Sequence, residues 1–216
     1  EDSRPGDSII GEEFGGDEFG TGDGSGRQWV LDPIDGTKNY VRGVPIWASL
    51  ISLAIDGVPV VGVVSAPALG RRWWAADGCG AHASETVAGQ NATGQSRQER
   101  RIRVSQVSQL ADASASCSGI ARWEDAGKLD AYLALARQTW RTRDYGDMWP
   151  YMMVAEGLVD IAGEYDLKPW DLAALIPIVQ EAGGRFTSAE GEQGPWHGSA
   201  LATNGLLHDS VLQVLG

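Results

Sequence analysis

The amino-acid sequence predicts an α/β (α+β) fold in which two β-sheets are separated by layers of helices. Strand-like apolar runs fill the first half of the chain, whereas strands and helices are mixed in the second half. Of the 216 residues, 43% are hydrophobic and 21% are charged, which is typical of a globular protein with a sizeable core. We interpret the chain as one domain with two lobes, spanning roughly residues 1–120 and 121–216.

The predicted strands of the first half are short apolar runs bounded by turn residues. Asp56-Gly57 separates two of these runs, and this dipeptide is typical of a hairpin turn. The stretch from Phe14 to Arg27 is rich in glycine but precedes a strand, so we interpret it as a loop and not as a dinucleotide-binding fingerprint. Residues 86–99 are polar and lack periodicity, which favours a surface loop. Strands are expected at Ser8–Gly11, Trp29–Leu31, Ile46–Ile55, Val58–Ala66 and Arg71–Ala76, with a short helix at Thr37–Arg42.

Helical spacing of apolar residues is the main signal of the second half. Pro169 and Asp171 suit the start of a helix, and Gly183-Gly184 suits its end. Helices are expected at Asp125–Thr139, Met148–Glu156, Pro169–Ala182 and Leu206–Leu215, and strands at Ala113–Ser118, Val159–Ala162, Arg185–Thr187 and Ala200–Thr203.

The composition excludes several classes of function. The formal charge is −12, which disfavours a nucleic-acid partner, and the basic stretch Arg97–Arg103 is interpreted as a solvated loop. Cys79 and Cys117 offer neither a disulfide framework nor a zinc-ligand spacing. No apolar run reaches the length of a membrane helix, so we expect no membrane partner and, by default, a cytoplasmic protein.

The segment Asp32-Pro33-Ile34-Asp35-Gly36-Thr37 holds the clearest chemical signal. It follows the buried strand Trp29–Leu31, so two carboxylates lie where a strand ends. Carboxylates bind hard cations such as Mg²⁺. Backbone N–H groups at a turn or at the start of a helix bind phosphate oxygens. The combination indicates metal-assisted phosphate chemistry.

This segment resembles the signature of the inositol monophosphatase-like, Mg²⁺-dependent phosphatases. Gly11-Glu12-Glu13 upstream and Pro169–Ala174 followed by Glu181–Gly184 downstream resemble two further elements of that family, in the same order. The resemblance implies a layered α-β-α-β-α sandwich, a homodimer, and an N-terminal helical pair ahead of Glu1, so the chain looks truncated. The tracts VSAPALGRRWWAADGCGA and GSALATNGLLHDSVL are most similar to the actinobacterial members that act on histidinol phosphate.

The resemblance also assigns roles to individual residues. It implies metal ligands at Glu12, Asp32, Asp35 and Asp171 and at the Ile34 carbonyl, holding two or three Mg²⁺ ions. An isolated aspartate is more often a helix cap or a solvated carboxylate, but here four carboxylates fall in three separate motifs. Glu12, Thr37 and Asp32 are the expected catalytic residues, with Glu12 and Thr37 activating a water. The N–H groups of Gly36 and Thr37 are expected to bind the phosphate of a small monoester.

Asp147 and Glu164 are the expected contacts of the leaving group. Two acids would pair well with the ammonium and imidazole of histidinol, whereas an inositol ring is neutral. The alternative for Asp147 is that it caps the helix that starts at Met148. Two other functions stay open at this point: an inositol or sugar phosphatase of the same fold, and a non-catalytic relative that binds metal or ligand.

Overall fold

The computed structural model describes residues 6–13, 26–86 and 97–216. Within these ranges it contains twelve strands and seven α-helices. The strands are β1 (Ser8–Gly11), β2 (Arg27–Asp35), β3 (Ala48–Ile55), β4 (Val58–Ala66), β5 (Arg71–Ala76), β6 (Gly80–Thr86), β7 (Arg97–Arg101), β8 (Ser114–Cys117), β9 (Arg141–Thr142), β10 (Ile161–Tyr165), β11 (Arg185–Thr187) and β12 (Ser199–Thr203). The helices are α1 (Thr37–Arg42), α2 (Ile120–Asp125), α3 (Leu129–Gln138), α4 (Trp149–Ala155), α5 (Pro169–Leu172), α6 (Leu175–Glu181) and α7 (His208–Leu215).

The first seven strands form one sheet in their order along the chain. Neighbouring strands from β2 to β7 pair antiparallel, and β1 pairs parallel with β2. The pairing of β2 with β3 shifts register between Asp32 and Asp35. Such an irregularity re-aims side chains at the end of a strand, and here it lies within the acidic segment.

The remaining strands form a second, smaller sheet in the order β11-β12-β10-β8-β9. Its central strand β10 is buried throughout and pairs parallel with β8 and antiparallel with β12. Helices α4 and α6 lie between the two sheets, and their apolar side chains pack with those of the large sheet in one core. Helices α2, α3 and α7 cover the other face of the small sheet around Trp123. The predicted fold class of two sheets with helix layers is therefore confirmed.

Three strands occur where no strand was expected, one of them the two-residue strand β9 at the edge of the small sheet. The sequence Gly80–Thr86 forms β6, and Arg97–Arg101 forms β7 at the edge of the large sheet. The interpretation of residues 97–101 and of Thr86 as loop is therefore wrong, whereas residues 102 and 103 lie outside any strand or helix. Charged side chains are common on edge strands because they discourage pairing with other molecules. The middle of the predicted 86–99 loop, and most of the glycine-rich stretch 14–27, lie outside the described residues.

The helix expected at Pro169–Ala182 is divided into α5 and α6. Pro177 has no N–H to donate to the carbonyl of Ala173, four residues earlier. Ser52 Oγ on β3 lies 3.1 Å from that carbonyl oxygen and 2.8 Å from the carbonyl oxygen of Val61, so its single hydroxyl hydrogen is shared between the two. The large sheet therefore compensates the break in part, and the break leaves Asp171 on a separate short helix.

Two other elements differ from expectation. The helix expected at Asp125–Thr139 begins only at Leu129, after a turn in which Gly127 has a φ of 70°, and α2 forms just before it where no helix was expected. The strand expected at Val159–Ala162 begins at Ile161 and continues to Tyr165, so it includes Glu164. In the described ranges, every helix is too short or too polar to cross a lipid bilayer.

Candidate active site

Asp32 and Asp35 are held at the end of β2 by backbone hydrogen bonds. Asp32 shares a face of the strand with buried Val30, which packs with Ala173 at the end of α5. Asp32 Oδ1 accepts a hydrogen bond from Ile34 N at 2.9 Å, and Asp35 Oδ2 accepts one from Met148 N at 2.8 Å. Both side chains are buried, at 2% and 9% exposure. The register shift between them lets both carboxylates approach the same space.

Asp171 reaches that space from α5. Its Oδ2 accepts a hydrogen bond from Lys168 N at 2.8 Å, which closes the first turn of the helix. Carboxylate oxygens of Asp32, Asp35 and Asp171 all lie within 4.8 Å of one another. Residues far apart in the sequence thus form one acidic cluster.

The electrostatics of this cluster are unfavourable without a cation. Burial, followed by the charges of Asp171 and Glu12, raises the pKa of Asp32 to about 7. Burial also raises the pKa of Asp171 to about 6, and burial together with the charge of Asp147 raises the pKa of Asp35 well above its usual value. Like charges in a low-dielectric site disfavour each other's ionised forms. A divalent cation would reverse this penalty, because it supplies the opposite charge.

The donor set fits a hard cation. Carboxylate and carbonyl oxygens are the ligands that Mg²⁺ prefers, and the acidic cluster supplies three carboxylates. Glu12 lies in the turn after β1, is exposed, and lines the same cleft. The Ile34 carbonyl accepts a hydrogen bond from Thr37 Oγ1 at 2.9 Å, and Ile34 also lines the cleft. All five residues predicted to bind metal therefore line one cleft, and three of them form the acidic cluster.

Gly36 and Thr37 form the turn from β2 into α1. Gly36 has a φ of 82°, a left-handed conformation, and a Cβ at this position would lie 2.9 Å from the Ile46 carbonyl oxygen. Only glycine fits such a turn without strain. The first turn of a helix leaves backbone N–H groups without helical partners. Both residues line the cleft that also contains the acidic cluster.

Asp147 lies against this turn, one residue before the N-cap residue of α4, Met148. The Met148 N–H donates to Asp35 Oδ2 and not to Asp147. Asp147 Oδ2 instead accepts a hydrogen bond from Asn39 Nδ2 at 2.6 Å. A Cβ on Gly36 would approach Asp147 Oδ2 to 3.2 Å. Burial raises the pKa of Asp147, while Arg122 and Lys38 act in the opposite direction.

Glu164 lies on β10, lines the same cleft, and already has a cationic partner. Arg122 Nη1 donates to Glu164 Oε1 at 3.0 Å, and Arg122 Nε lies 3.7 Å from Asp166 Oδ2. Burial nevertheless raises the pKa of Glu164 to about 7. Sequence reasoning missed Arg122, because a lone arginine in a helix has no distinguishing pattern.

One cleft of about 240 Å³ connects these groups. Every predicted site residue lines it, together with residues that the sequence did not single out. The added lining residues are Lys38, Arg122, Tyr151, Asp166, Leu167, Leu172 and Leu175. Tyr151 had an available signal, since it follows Asp147 by only four residues and falls in a helix that the sequence predicts.

The chain resembles known proteins over nearly its whole length. The sequence profile of the inositol monophosphatase family matches residues 1–215. The chain is 54% identical to a histidinol-phosphatase of Streptomyces coelicolor, over 99% of this chain and 76% of that protein. It is 56% identical to a histidinol-phosphatase of Mycobacterium tuberculosis, over 97% of this chain and 75% of that protein. Its fold matches the structure of an inositol monophosphatase from Anabaena with a TM-score of 0.78 and 30% identity, covering 98% of this chain and 79% of that one.

Proposed function

This chain belongs to the inositol monophosphatase family, and we propose that it hydrolyses L-histidinol phosphate to L-histidinol and phosphate in a reaction that requires Mg²⁺. The chain is a phosphatase. The observation that carries the choice of substrate is its identity of 54% and 56% to two histidinol-phosphatases over nearly its whole length. Such an activity would serve histidine biosynthesis. The geometry of the cleft supplies a physical reason for that choice.

The acidic cluster is the proposed metal centre. Asp32, Asp35 and Asp171, with Glu12 and the Ile34 carbonyl at the edge, would hold Mg²⁺ in two or three positions. When bound, Mg²⁺ supplies positive charge to the phosphate oxygens and to the developing leaving group. The raised pKa values of Asp32 and Asp171 support this role, because a bound cation would offset the burial and the neighbouring acids that raise them.

Thr37 and Glu12 would prepare the attacking water. The Thr37 hydroxyl donates its hydrogen to the Ile34 carbonyl, so its oxygen lone pairs are left to accept a hydrogen bond from water. The exposed Glu12 carboxylate would take the proton that this water releases. The N–H groups of Gly36 and Thr37 would hold the phosphate in line. Direct attack by water needs no covalent intermediate, and Cys117 is poorly suited to form one, because it is buried and its pKa is raised to about 12.

The leaving group would lie between Asp147 and Glu164. Asp147 lines the cleft beside Gly36, so a cationic group attached to the phosphate would meet its carboxylate. The Arg122–Glu164 pair holds the second acid in place on β10. Ammonium and imidazolium groups form charge-assisted hydrogen bonds with carboxylates, whereas the hydroxyls of a neutral ring gain less.

A second candidate, an inositol or sugar phosphatase activity, is favoured by one feature. Because Arg122 already pairs with Glu164, a substrate without a positive charge would meet one free acid and not two. The structural similarity to an inositol monophosphatase agrees with this candidate as well.

A substrate comparison tests the proposal. Phosphate release should be measured with histidinol phosphate, inositol 1-phosphate and a sugar phosphate, each with Mg²⁺ and with EDTA. We expect Mg²⁺-dependent turnover with the highest kcat/KM for histidinol phosphate. A higher kcat/KM for inositol 1-phosphate would favour the second candidate, and turnover that persists in EDTA would contradict the metal centre.

A further inference from the structure

Tyr151 has a buried hydroxyl that nothing in the described part of the chain satisfies. The residue lies on α4, is 2% exposed, and lines the active-site cleft. Its Oη has no hydrogen-bond partner among the residues that the structure describes. Buried polar groups are nearly always hydrogen-bonded, and an unpartnered one calls for an explanation such as a bound molecule.

The ring of Tyr151 is fixed, so its hydroxyl cannot turn away to find a partner. The ring stacks on Phe186 with centroids 5.6 Å apart, and it belongs to the core between the two sheets. Its hydroxyl group is thus held at one place by packing.

The surroundings of the hydroxyl are acidic. Burial raises the pKa of Tyr151 well above its usual value, and the charges of Glu164, Asp171 and Asp35 act in the same direction. The hydroxyl therefore stays protonated and neutral, offering one donor hydrogen and acceptor lone pairs. The acids that act on the hydroxyl are Asp35 and Asp171, two of the proposed metal ligands, and Glu164, one of the two acids proposed to contact the leaving group.

From this placement we propose that Tyr151 Oη is a specificity-determining contact for the leaving group, forming a hydrogen bond to a nitrogen or hydroxyl of the substrate. The choice of histidinol as that leaving group rests on the proposed function, but the contact itself does not. The substrate would thereby satisfy a polar atom of the cleft wall that the described part of the protein leaves unpaired.

Tyr151→Phe is the direct test, because it removes only the hydroxyl and keeps the ring stacked on Phe186. For whichever ester the wild-type protein hydrolyses best, we expect kcat/KM to fall about 10-fold, mostly through KM, as for the loss of one hydrogen bond. For ethyl phosphate, whose leaving group has no nitrogen or hydroxyl to bond to Tyr151 Oη, kcat/KM should change less than twofold. If the wild-type protein prefers an ester other than histidinol phosphate, the proposed function is overturned. The Tyr151 proposal is then tested by the same comparison of variant and wild type, made with the preferred ester.

Thermal unfolding separates this role from a structural one. Since the Tyr151 hydroxyl has no partner in the described structure, Tyr151→Phe should leave Tm unchanged or raise it. Tyr165→Phe is the matched control: its hydroxyl donates to Glu190 Oε1 at 2.8 Å, so this variant should lower Tm while kcat/KM stays near wild type. An equal loss of kcat/KM on both esters, or a fall in Tm for Tyr151→Phe, would mean that the hydroxyl supports the fold and would overturn the proposal.

Discussion

Replacing Asp32 with Asn should stabilise the metal-free protein at neutral and alkaline pH while abolishing its response to Mg²⁺. Asp32 is buried beside Asp171 and Glu12, and its pKa is raised from 3.8 to about 7. Asparagine has the same shape and can still accept the hydrogen bond from Ile34 N. The substitution therefore removes the charge and leaves the local backbone intact.

The magnitude follows from the pKa. The folded protein binds a proton at Asp32 more tightly than the unfolded chain does, so this group favours folding below about pH 4. That contribution is lost as the pH rises through about 7. A pKa rise from 3.8 to about 7 corresponds to a loss of roughly 4 kcal/mol, which is an upper limit for what Asp32→Asn can restore at pH 8. For a chain of 216 residues, each kcal/mol shifts Tm by about 2–4 °C.

Thermal unfolding at pH 5 and pH 8, in EDTA and in Mg²⁺, measures both effects. We expect Asp32→Asn to have the higher Tm of the two proteins in EDTA at pH 8, with a smaller difference at pH 5. Mg²⁺ should raise the Tm of the wild type most at pH 8 and should leave the variant unchanged. Asp77→Asn, on an exposed turn, controls for the loss of one negative charge. A variant that is less stable than the wild type in EDTA, or that keeps the Mg²⁺ response, would refute the reasoning.

Three further predictions concern single residues. Thr37→Ala should lower kcat by about 100-fold with little change in KM, because the Thr37 hydroxyl oxygen orients the attacking water. Steady-state kinetics measures both constants, and an effect on KM alone would mean that Thr37 positions substrate. Gly36→Ala should reduce the free energy of unfolding by about 1–3 kcal/mol, because the alanine Cβ would lie 2.9 Å from the Ile46 carbonyl oxygen and a φ of 82° is strained for alanine. A urea titration measures this difference, and unchanged stability would contradict the turn geometry. Burial, and then the charge of Arg185, lower the pKa of His208 from 6.5 to about 4 in the folded protein. The unfolded chain therefore binds a proton at this residue more tightly than the folded protein does, and the free energy of unfolding should decrease as the pH falls from about 6.5 to about 4. His208→Gln should remove that part of the pH dependence, and an unchanged slope would contradict the assignment.

Much of the candidate site could be predicted because its proposed metal ligands lie in short, local motifs. Asp32 and Asp35 follow an apolar strand in the sequence, and Asp171 begins an apolar helix. Because all three are aspartates, their residue type by itself indicates metal binding. That they meet within 4.8 Å depends on the pairing of β2 with the large sheet and on the packing of α5. No local pattern contains that information, and only the family resemblance supplied it beforehand.

The missed features depend on contacts between distant residues. The edge strand β7 has the sequence Arg-Gln-Glu-Arg-Arg, and no apolar alternation marks it as a strand. The division of α5 from α6 had a visible cause in Pro177, but the compensating hydrogen bond from Ser52 was not predictable. Arg122 and Tyr151 reach the cleft through packing of α2 and α4 against the small sheet. The homodimer, the cytoplasmic location and the number of Mg²⁺ ions stay predictions.

The central claim is that acidic side chains of the cleft select a cationic leaving group, and Asp147→Asn tests it most directly. Asparagine removes the charge and tolerates the left-handed backbone of Asp147, whose φ is 51°, whereas alanine would add strain. Asp56→Asn, at a φ of 48° on the distant β3–β4 turn, is the matched control. The measurement is kcat/KM for histidinol phosphate relative to that for inositol 1-phosphate. We predict that this ratio falls about 10-fold in Asp147→Asn, the difference between a charged and a neutral hydrogen bond, and is unchanged in Asp56→Asn. A ratio that stays at the wild-type value in Asp147→Asn would contradict the claim.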